Sequence, residues 1–204
     1  MTAKPFAPAT ERNSLPILGV IRREFENLES ILEIGSGSGQ HAVCFGAELL
    51  HLTWQTSELG EHHAGIRSWL DEAALPNVRE PILLDVSTAS LPAESYDGVF
   101  SANTAHIMSF AAVEKMFALV SSVLRENGAF CLYGPFRQGG EFNTLSNAEF
   151  HASLLQRNPD MGIRHLEDLD RLGLAGGLRR KQLYAMPANN HLAVWGKQAL
   201  EVET

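Results

Sequence analysis

Two hydrophobic periods take turns along the middle of this chain. The runs 31–34, 52–57, 82–84, 96–102 and 129–133 are compact and apolar or β-branched, and most end on a polar or glycine-rich turn, which predicts buried strands. Between them, 41–50, 64–74 and 113–124 repeat apolar side chains at helical spacing, which predicts helices. Such alternation requires a parallel sheet with right-handed crossovers and helices on both faces.

The two ends read differently. Residues 1–13 carry Pro5, Pro8 and the polar run Thr10-Glu11-Arg12-Asn13, which predicts an extended arm able to fold over a site as a lid. Ser14 then reads as an N-cap with Pro16 in the first turn. Ile17, Leu18, Ile21, Phe25 and Leu28 follow at helical spacing, giving a helix of about 14 residues. Ser87, Ser90 and Pro92 make 86–94 a loop, and Gly128 is the expected left-handed terminator of the helix over 113–124. Beyond the irregular stretch 134–147, short helices are expected over 148–156 and 167–172. The strands 178–186 and 191–197 flank Pro187-Ala188-Asn189-Asn190, which is hairpin chemistry. The expectation is one α/β domain over 14–204, doubly wound, preceded by the arm at 1–13.

Charge and composition narrow the partners. The 204 residues carry a net charge of −8, and their basic side chains are scattered apart from Arg179-Arg180-Lys181, so a nucleic acid is not the expected partner. Cys44 and Cys131 lie inside apolar runs and read as free thiols of a reducing compartment. No apolar stretch approaches the roughly 20 residues of a membrane span, and the first residues lack a signal-peptide pattern; the expected location is cytoplasmic, with no membrane partner.

The chemistry concentrates at Glu33-Ile34-Gly35-Ser36-Gly37-Ser38-Gly39-Gln40, where a strand breaks into three alternate glycines and opens a helix. Glycines there permit positive φ and close backbone approach, and the free amides of a helix start face negative groups. A dinucleotide fingerprint needs a third glycine where Gln40 stands, and no Gly-Lys-Ser/Thr of a phosphate loop follows. What remains is a turn with a buried carboxylate, Glu33, ahead of it. S-adenosylmethionine fits these residue types: Glu33 acts on its ammonium directly or through water, and the amides of Gly35, Ser36, Gly37 and Gly39 take its carboxylate. Glu58 closes the second strand, where an acid accepts ribose hydroxyls. Asp85 closes the third and can accept from an adenine amino group beside the Val86 amide.

These segments, together with Phe100 to His106 and the closing hairpin, resemble a class I S-adenosylmethionine-dependent methyltransferase over roughly residues 14–197. Glu11-Arg12-Asn13-Ser14, Glu-Ile-Gly-Ser-Gly-Ser-Gly-Gln-His, Ser101-Ala-Asn-Thr-Ala-His106, Tyr133-Gly-Pro-Phe136 and the terminal Asn-Asn-His-Leu more narrowly resemble the DUF938 (UPF0585) family, which includes methyltransferase-like protein 26. The resemblance implies a seven-stranded, mostly parallel Rossmann-like sheet whose C-terminal hairpin contributes an antiparallel strand. It implies S-adenosylmethionine as cofactor and S-adenosylhomocysteine as product, and names no acceptor; a small molecule is the expected one.

Further candidates follow from position. His106, at the end of the fourth strand, is the candidate general base; Asn103 on the same strand end and His41 after the glycine turn are assigned to the cofactor. Arg12, Asn13, Tyr133, Pro135 and Phe136 are assigned to the acceptor pocket, Arg12 as a partner for an acidic group. His51, His62 and His63 lack ligand-pair spacing, so no metal is expected. A cofactor-binding regulatory or scaffold protein without turnover, and more remotely an NAD-dependent reductase, remain alternatives.

Overall fold

The computed structural model describes residues 4–88, 92 and 94–198. Helix α1 (Pro8–Glu24) leads into β1 (Ser30–Ile34), and α2 (Gln40–Glu48) crosses to β2 (Thr53–Glu58). Helix α3 (His63–Ala73) then crosses to β3 (Val78–Leu83), and the chain returns through β4 (Tyr96–Ala102), α4 (Phe110–Val123) and β5 (Leu124–Gly134). Two short strands, β6 (Phe136–Arg137) and β7 (Arg164–His165), pair in parallel around α5 (Leu145–Arg157). Helix α6 (Leu166–Ala175) precedes the hairpin β8 (Leu178–Met186) and β9 (Asn190–Lys197).

Seven strands form one sheet in the order β3-β2-β1-β4-β5-β9-β8. Only β9 runs against its neighbours β5 and β8; the other pairings are parallel. The winding direction reverses between β1 and β4, and an open α/β sheet binds ligands beyond the carboxyl ends of the strands at such a point. Ser101 locks that junction: its hydroxyl donates to the Ile34 carbonyl at 2.7 Å and also meets the Thr104 hydroxyl at 2.7 Å.

Both faces of the sheet are covered. Strand β1 is buried throughout Ile31–Ile34, as a central parallel strand must be. One face carries Phe117, Phe130 and Trp195 under α4 and α6; the other carries Phe25, Phe45, Trp54 and Phe100 under α1 and α2. Phe45 meets Phe100 edge to face, with centroids 5.4 Å apart.

Several boundaries differ from the sequence expectation. Helix α1 starts at Pro8, not at Ser14, because a proline in the first turn has its φ already set and no amide to satisfy. Ser14 is therefore inside the helix, its hydroxyl bonded to the Thr10 carbonyl at 2.6 Å, and Pro16 is an interior proline. The arm is thus shorter than residues 1–13. Strand β3 begins at Val78 and tolerates Pro81 because it is an edge strand. Helix α4 ends at Val123, and Asn127, at φ +62°, is the left-handed residue there. Gly128 is needed for a different reason: a Cβ would stand 2.6 Å from the Asp97 carbonyl oxygen. Helix α5 starts at Leu145 because the Thr144 hydroxyl caps it, accepting the Asn147 amide. The expected loop 86–94 falls partly outside the described residues, at 89–91 and 93.

Candidate functional site

The glycine turn has the backbone its sequence demands. Gly35, Gly37 and Gly39 all adopt positive φ, at +75°, +57° and +90°. A Cβ on Gly35 would meet Thr104 Cγ2 at 2.7 Å, and one on Gly39 would meet Ile66 Cα at 3.2 Å. Gly37 has open space around that position and lines a cavity instead.

Glu33 lies beneath the turn, 1% exposed, and does not line that cavity. Its Oε2 accepts from Trp54 Nε1 at 3.1 Å and from the Ser36 hydroxyl at 2.9 Å. Burial lifts its pKa to about 7; the Trp54 and Ser36 bonds oppose the rise, and the Glu58 charge adds to it. Ser36 ties the turn to β2 as well, since its amide donates to the Ser57 carbonyl at 2.9 Å.

A cleft of about 710 Å³ opens over the carboxyl ends of β1, β2 and β3. Gly35, Gly37, Glu58, Asp85, Val86 and Thr104 all line it. Glu58 Oε2 accepts the Gly37 amide at 2.9 Å, and its Oε1 accepts the Leu59 amide at 2.9 Å. Asp85 Oδ1 accepts the hydroxyl and the amide of Ser87 at 2.6 and 2.8 Å, and these bonds hold its pKa below the usual carboxylate range.

Residues 4–7 strap across this cleft. Pro5, Phe6 and Ala7 line it, and the strap is tied at three points. The Ala7 amide donates to Gln40 Oε1 at 2.6 Å, Trp69 Nε1 donates to the Pro5 carbonyl at 2.7 Å, and Lys4 sits 3.6 Å from the Trp69 ring centroid. Gly65 leaves room for Pro5, because a Cβ there would come within 2.6 Å of the proline ring.

A second cavity, of about 420 Å³, collects Arg12, Asn13, Asn103, Tyr133 and Asn190. Three of the five residues assigned to the acceptor pocket come together in it. Asn103 joins them and does not line the first cleft, because its left-handed backbone (φ +59°) sends the chain on to Thr104, which does. Pro135 and Phe136 line neither cavity; Phe136 is 2% exposed and packed into the core beside α4 and α6.

The two histidines are enclosed. His41 stacks on Phe45 with centroids 5.1 Å apart, and its Nε2 meets Asn13 Oδ1 at 2.7 Å, away from the first cleft. His106 is packed against Phe150, with Arg164 and Arg157 nearby, and lines neither cavity. Both are lowered to a pKa of about 4, His41 by burial and His106 by burial together with the charges of Arg164 and Arg157. His51 and His63 each meet a backbone carbonyl, of Phe25 and Glu58, and His62 lies beside Glu61. Among the described residues no three His, Cys, Asp or Glu side chains gather where a metal could bind. No described helix is long and apolar enough to cross a membrane.

Sequence reasoning assigned no site role to Thr104, Gln40 or Asn190, whereas the strap falls within the arm at 1–13 that it reads as a lid. Gln40 served only to exclude a dinucleotide; its carboxamide holds the strap. Asn190 carried a visible signal, a polar side chain opening the last strand, whereas Gly35, which faces Thr104, and Gln40, which binds Ala7, lie far away in sequence.

Solved structures that share this architecture include methyltransferases. An O-methyltransferase family protein from Burkholderia thailandensis superposes with a TM-score of 0.82 at 14% identity, over 95% of this chain and 58% of its own. Mitomycin 7-O-methyltransferase gives 0.81 at 13% identity, over 93% and 54%. Human N-acetylserotonin methyltransferase, solved in complex with S-adenosylmethionine, gives 0.79 at 12% identity, over 94% and 53%. The chain therefore has the Rossmann-like methyltransferase fold and spans little more than half the length of these proteins. A family model described as a protein of unknown function, DUF938, matches residues 4–197, and the chain belongs to that family.

Proposed function

We propose that this protein is an S-adenosylmethionine-dependent methyltransferase acting on a small-molecule acceptor. The observation that carries this reading is the meeting, in one cleft beyond the carboxyl ends of successive strands, of the Gly37 turn, Glu58 and Asp85 with Val86. In this reading Glu58 accepts the ribose hydroxyls, Asp85 and the Val86 amide take the adenine edge, and the turn amides hold the cofactor carboxylate. Glu33 answers the ammonium from beneath the turn. The bound cofactor supplies the reactive methyl group, and the protein's part is alignment and exclusion of water. Residues 4–7 supply a roof for that purpose.

A base is needed only where the acceptor is a neutral hydroxyl or amine. His106, the candidate base at the β4 end, lines neither cavity and reaches such a proton only if its enclosure opens. Held near a pKa of about 4, it is a weak proton acceptor, so alignment carries most of the rate.

Calorimetry with S-adenosylhomocysteine tests the cofactor assignment. Binding is expected for the wild type and falls about a hundredfold in Glu58→Ala, since two charge-assisted hydrogen bonds are lost. Absence of heat with both S-adenosylmethionine and S-adenosylhomocysteine would reject it. Transfer of label from methyl-labelled cofactor to a metabolite extract separates turnover from binding alone.

A further inference from the structure

The second cavity has a one-sided chemistry. The lining residues with polar side chains are Arg12, Asn13, Asn103, Tyr133 and Asn190; among the described residues no Asp or Glu lines it. No described carboxylate lies within ion-pair distance of Arg12. On a chain of net charge −8, a cavity with a cation and no acid is a local reversal of sign.

The hydrogen bonds give it a direction. The atom facing His41 Nε2 at 2.7 Å is Asn13 Oδ1, which only accepts, so Nε2–H is the donor and the Asn13 NH2 is left to donate elsewhere. The Tyr133 oxygen accepts from Asn190 Nδ2 at 3.1 Å. A phenolic oxygen has two lone pairs and one proton. Asn190 engages one lone pair, and among the described residues no acceptor takes the Tyr133 proton, which is left to present to the cavity.

The walls are held in place at some conformational cost. Asn103 and Ala188, two of the five non-glycine residues with positive φ, both line this cavity. The turn that carries Ala188 is tied down by Asn143 and Asn147, whose Nδ2 groups each reach the Asn189 carbonyl at 3.1 Å. These ties fix the position of the β8–β9 hairpin turn that forms one wall of the cavity.

We propose that this cavity is a subsite for the carboxylate of a small organic molecule, gripped by the Arg12 guanidinium and the Tyr133 hydroxyl. One guanidinium matches one negative charge, and its planar fork matches a planar carboxylate. Asn103 lines this cavity and Thr104 the cleft, so a molecule anchored here lies next to the cofactor site. The inference rests on the methyltransferase reading only in naming the bound molecule as the methyl acceptor.

The test is an NMR titration of the full chain, with and without S-adenosylhomocysteine, using benzoate, benzamide and inorganic phosphate as probes. Benzoate is expected to shift the amides of Asn103, Ala188 and Asn190 and to bind about tenfold more tightly than benzamide. Arg12→Gln should abolish that preference and Tyr133→Phe should weaken benzoate about fivefold, with S-adenosylhomocysteine affinity unchanged in both. Arg12 is exposed on α1, so its replacement leaves the fold intact. Equal binding of benzoate and benzamide, a preference for phosphate, or indifference to Arg12→Gln would overturn the proposal. Failure of S-adenosylhomocysteine to bind would overturn the methyltransferase reading alone, because the arm without it still decides the carboxylate subsite.

Discussion

Gln40 and Ala7 are joined through a single carboxamide oxygen, which accepts the Ala7 amide at 2.6 Å and the Ser38 hydroxyl at 2.8 Å. The first residue of α2 thereby fastens the strap at residues 4–7 to the glycine turn. Position 40 decides two things at once: which cofactor motif is present and how the cleft is roofed.

Replacing Gln40 by Leu keeps the bulk and removes the acceptor. Cofactor affinity is expected to fall three- to tenfold, about the net worth of one hydrogen bond, with faster dissociation and loss of hydrogen-exchange protection at the Ala7 amide. Gln40→Glu restores an acceptor and should recover the protection. Unchanged exchange in Gln40→Leu would show that the strap is held by Trp69 and Lys4 alone.

Glu33 predicts a pH dependence of stability with a definite sign. Its folded pKa of about 7 stands above the ordinary value of 4.5, so the native state binds the proton more tightly than the unfolded chain. Its contribution is most favourable below pH 4.5 and declines as pH rises to about 7, by on the order of 3 kcal/mol. His41 and His106, lowered from 6.5 to about 4, act oppositely: their contribution is complete above pH 6.5 and is lost as pH falls toward 4. The two effects overlap, so the measurement is the difference between Glu33→Gln and wild type in urea unfolding at pH 5, 6, 7 and 8. The variant is expected to gain relative stability as pH rises; a constant difference would contradict the assignment.

Under the proposed function, the ammonium of a bound cofactor favours the Glu33 carboxylate. S-adenosylhomocysteine affinity should then increase with pH up to about 7 in wild type and lose that dependence in Glu33→Gln, read by calorimetry.

Gly35 and Thr104 form a steric pair that a double-mutant cycle can resolve. Gly35→Ala is expected to cost about 2–4 kcal/mol, from positive φ and from the clash with Thr104 Cγ2. Adding Thr104→Ser removes the methyl group, keeps the hydroxyl that meets Ser101, and should recover the steric share only. Additive losses in urea unfolding would mean that backbone strain alone sets the cost.

His106 should leave no titration near 6.5 in any methyl-transfer rate. Neutral above about pH 4, it does not change charge between pH 5.5 and 8. A pH–rate profile with a midpoint near 6.5 that disappears in His106→Gln would contradict its enclosed position.

Much of this molecule is local and therefore readable from the chain. Ile31, Leu32 and Ile34 predict a central strand, the three glycines predict its turn, and Glu58 and Asp85 predict acids at the ends of the next two strands; the structure puts these acids in one cleft. Ser14-Leu15-Pro16 and Ala7-Pro8-Ala9 are both plausible openings of α1, each with a proline whose φ is already set, and the structure takes the earlier one. Phe136 reads as a pocket wall beside Tyr133, but the chain leaves the seven-stranded sheet after Gly134 and Phe136 belongs to β6, which pairs with β7 instead. Its ring lies in the core with α4 and α6, and that of Tyr133 lies among the residues packed beneath α1.

The sequence by itself determined the winding of the sheet, the identity of the glycine turn and the order of the acids, because hydrophobic period and positive-φ demand act over a few residues. Tertiary structure alone decided which polar groups share a cavity. Asn103 and Thr104 are neighbours in the chain yet line different cavities, and Arg12 meets Tyr133 and Asn190 across more than a hundred residues. Such meetings depend on how helices lie on the sheet, a sum of many weak contacts that no local pattern records.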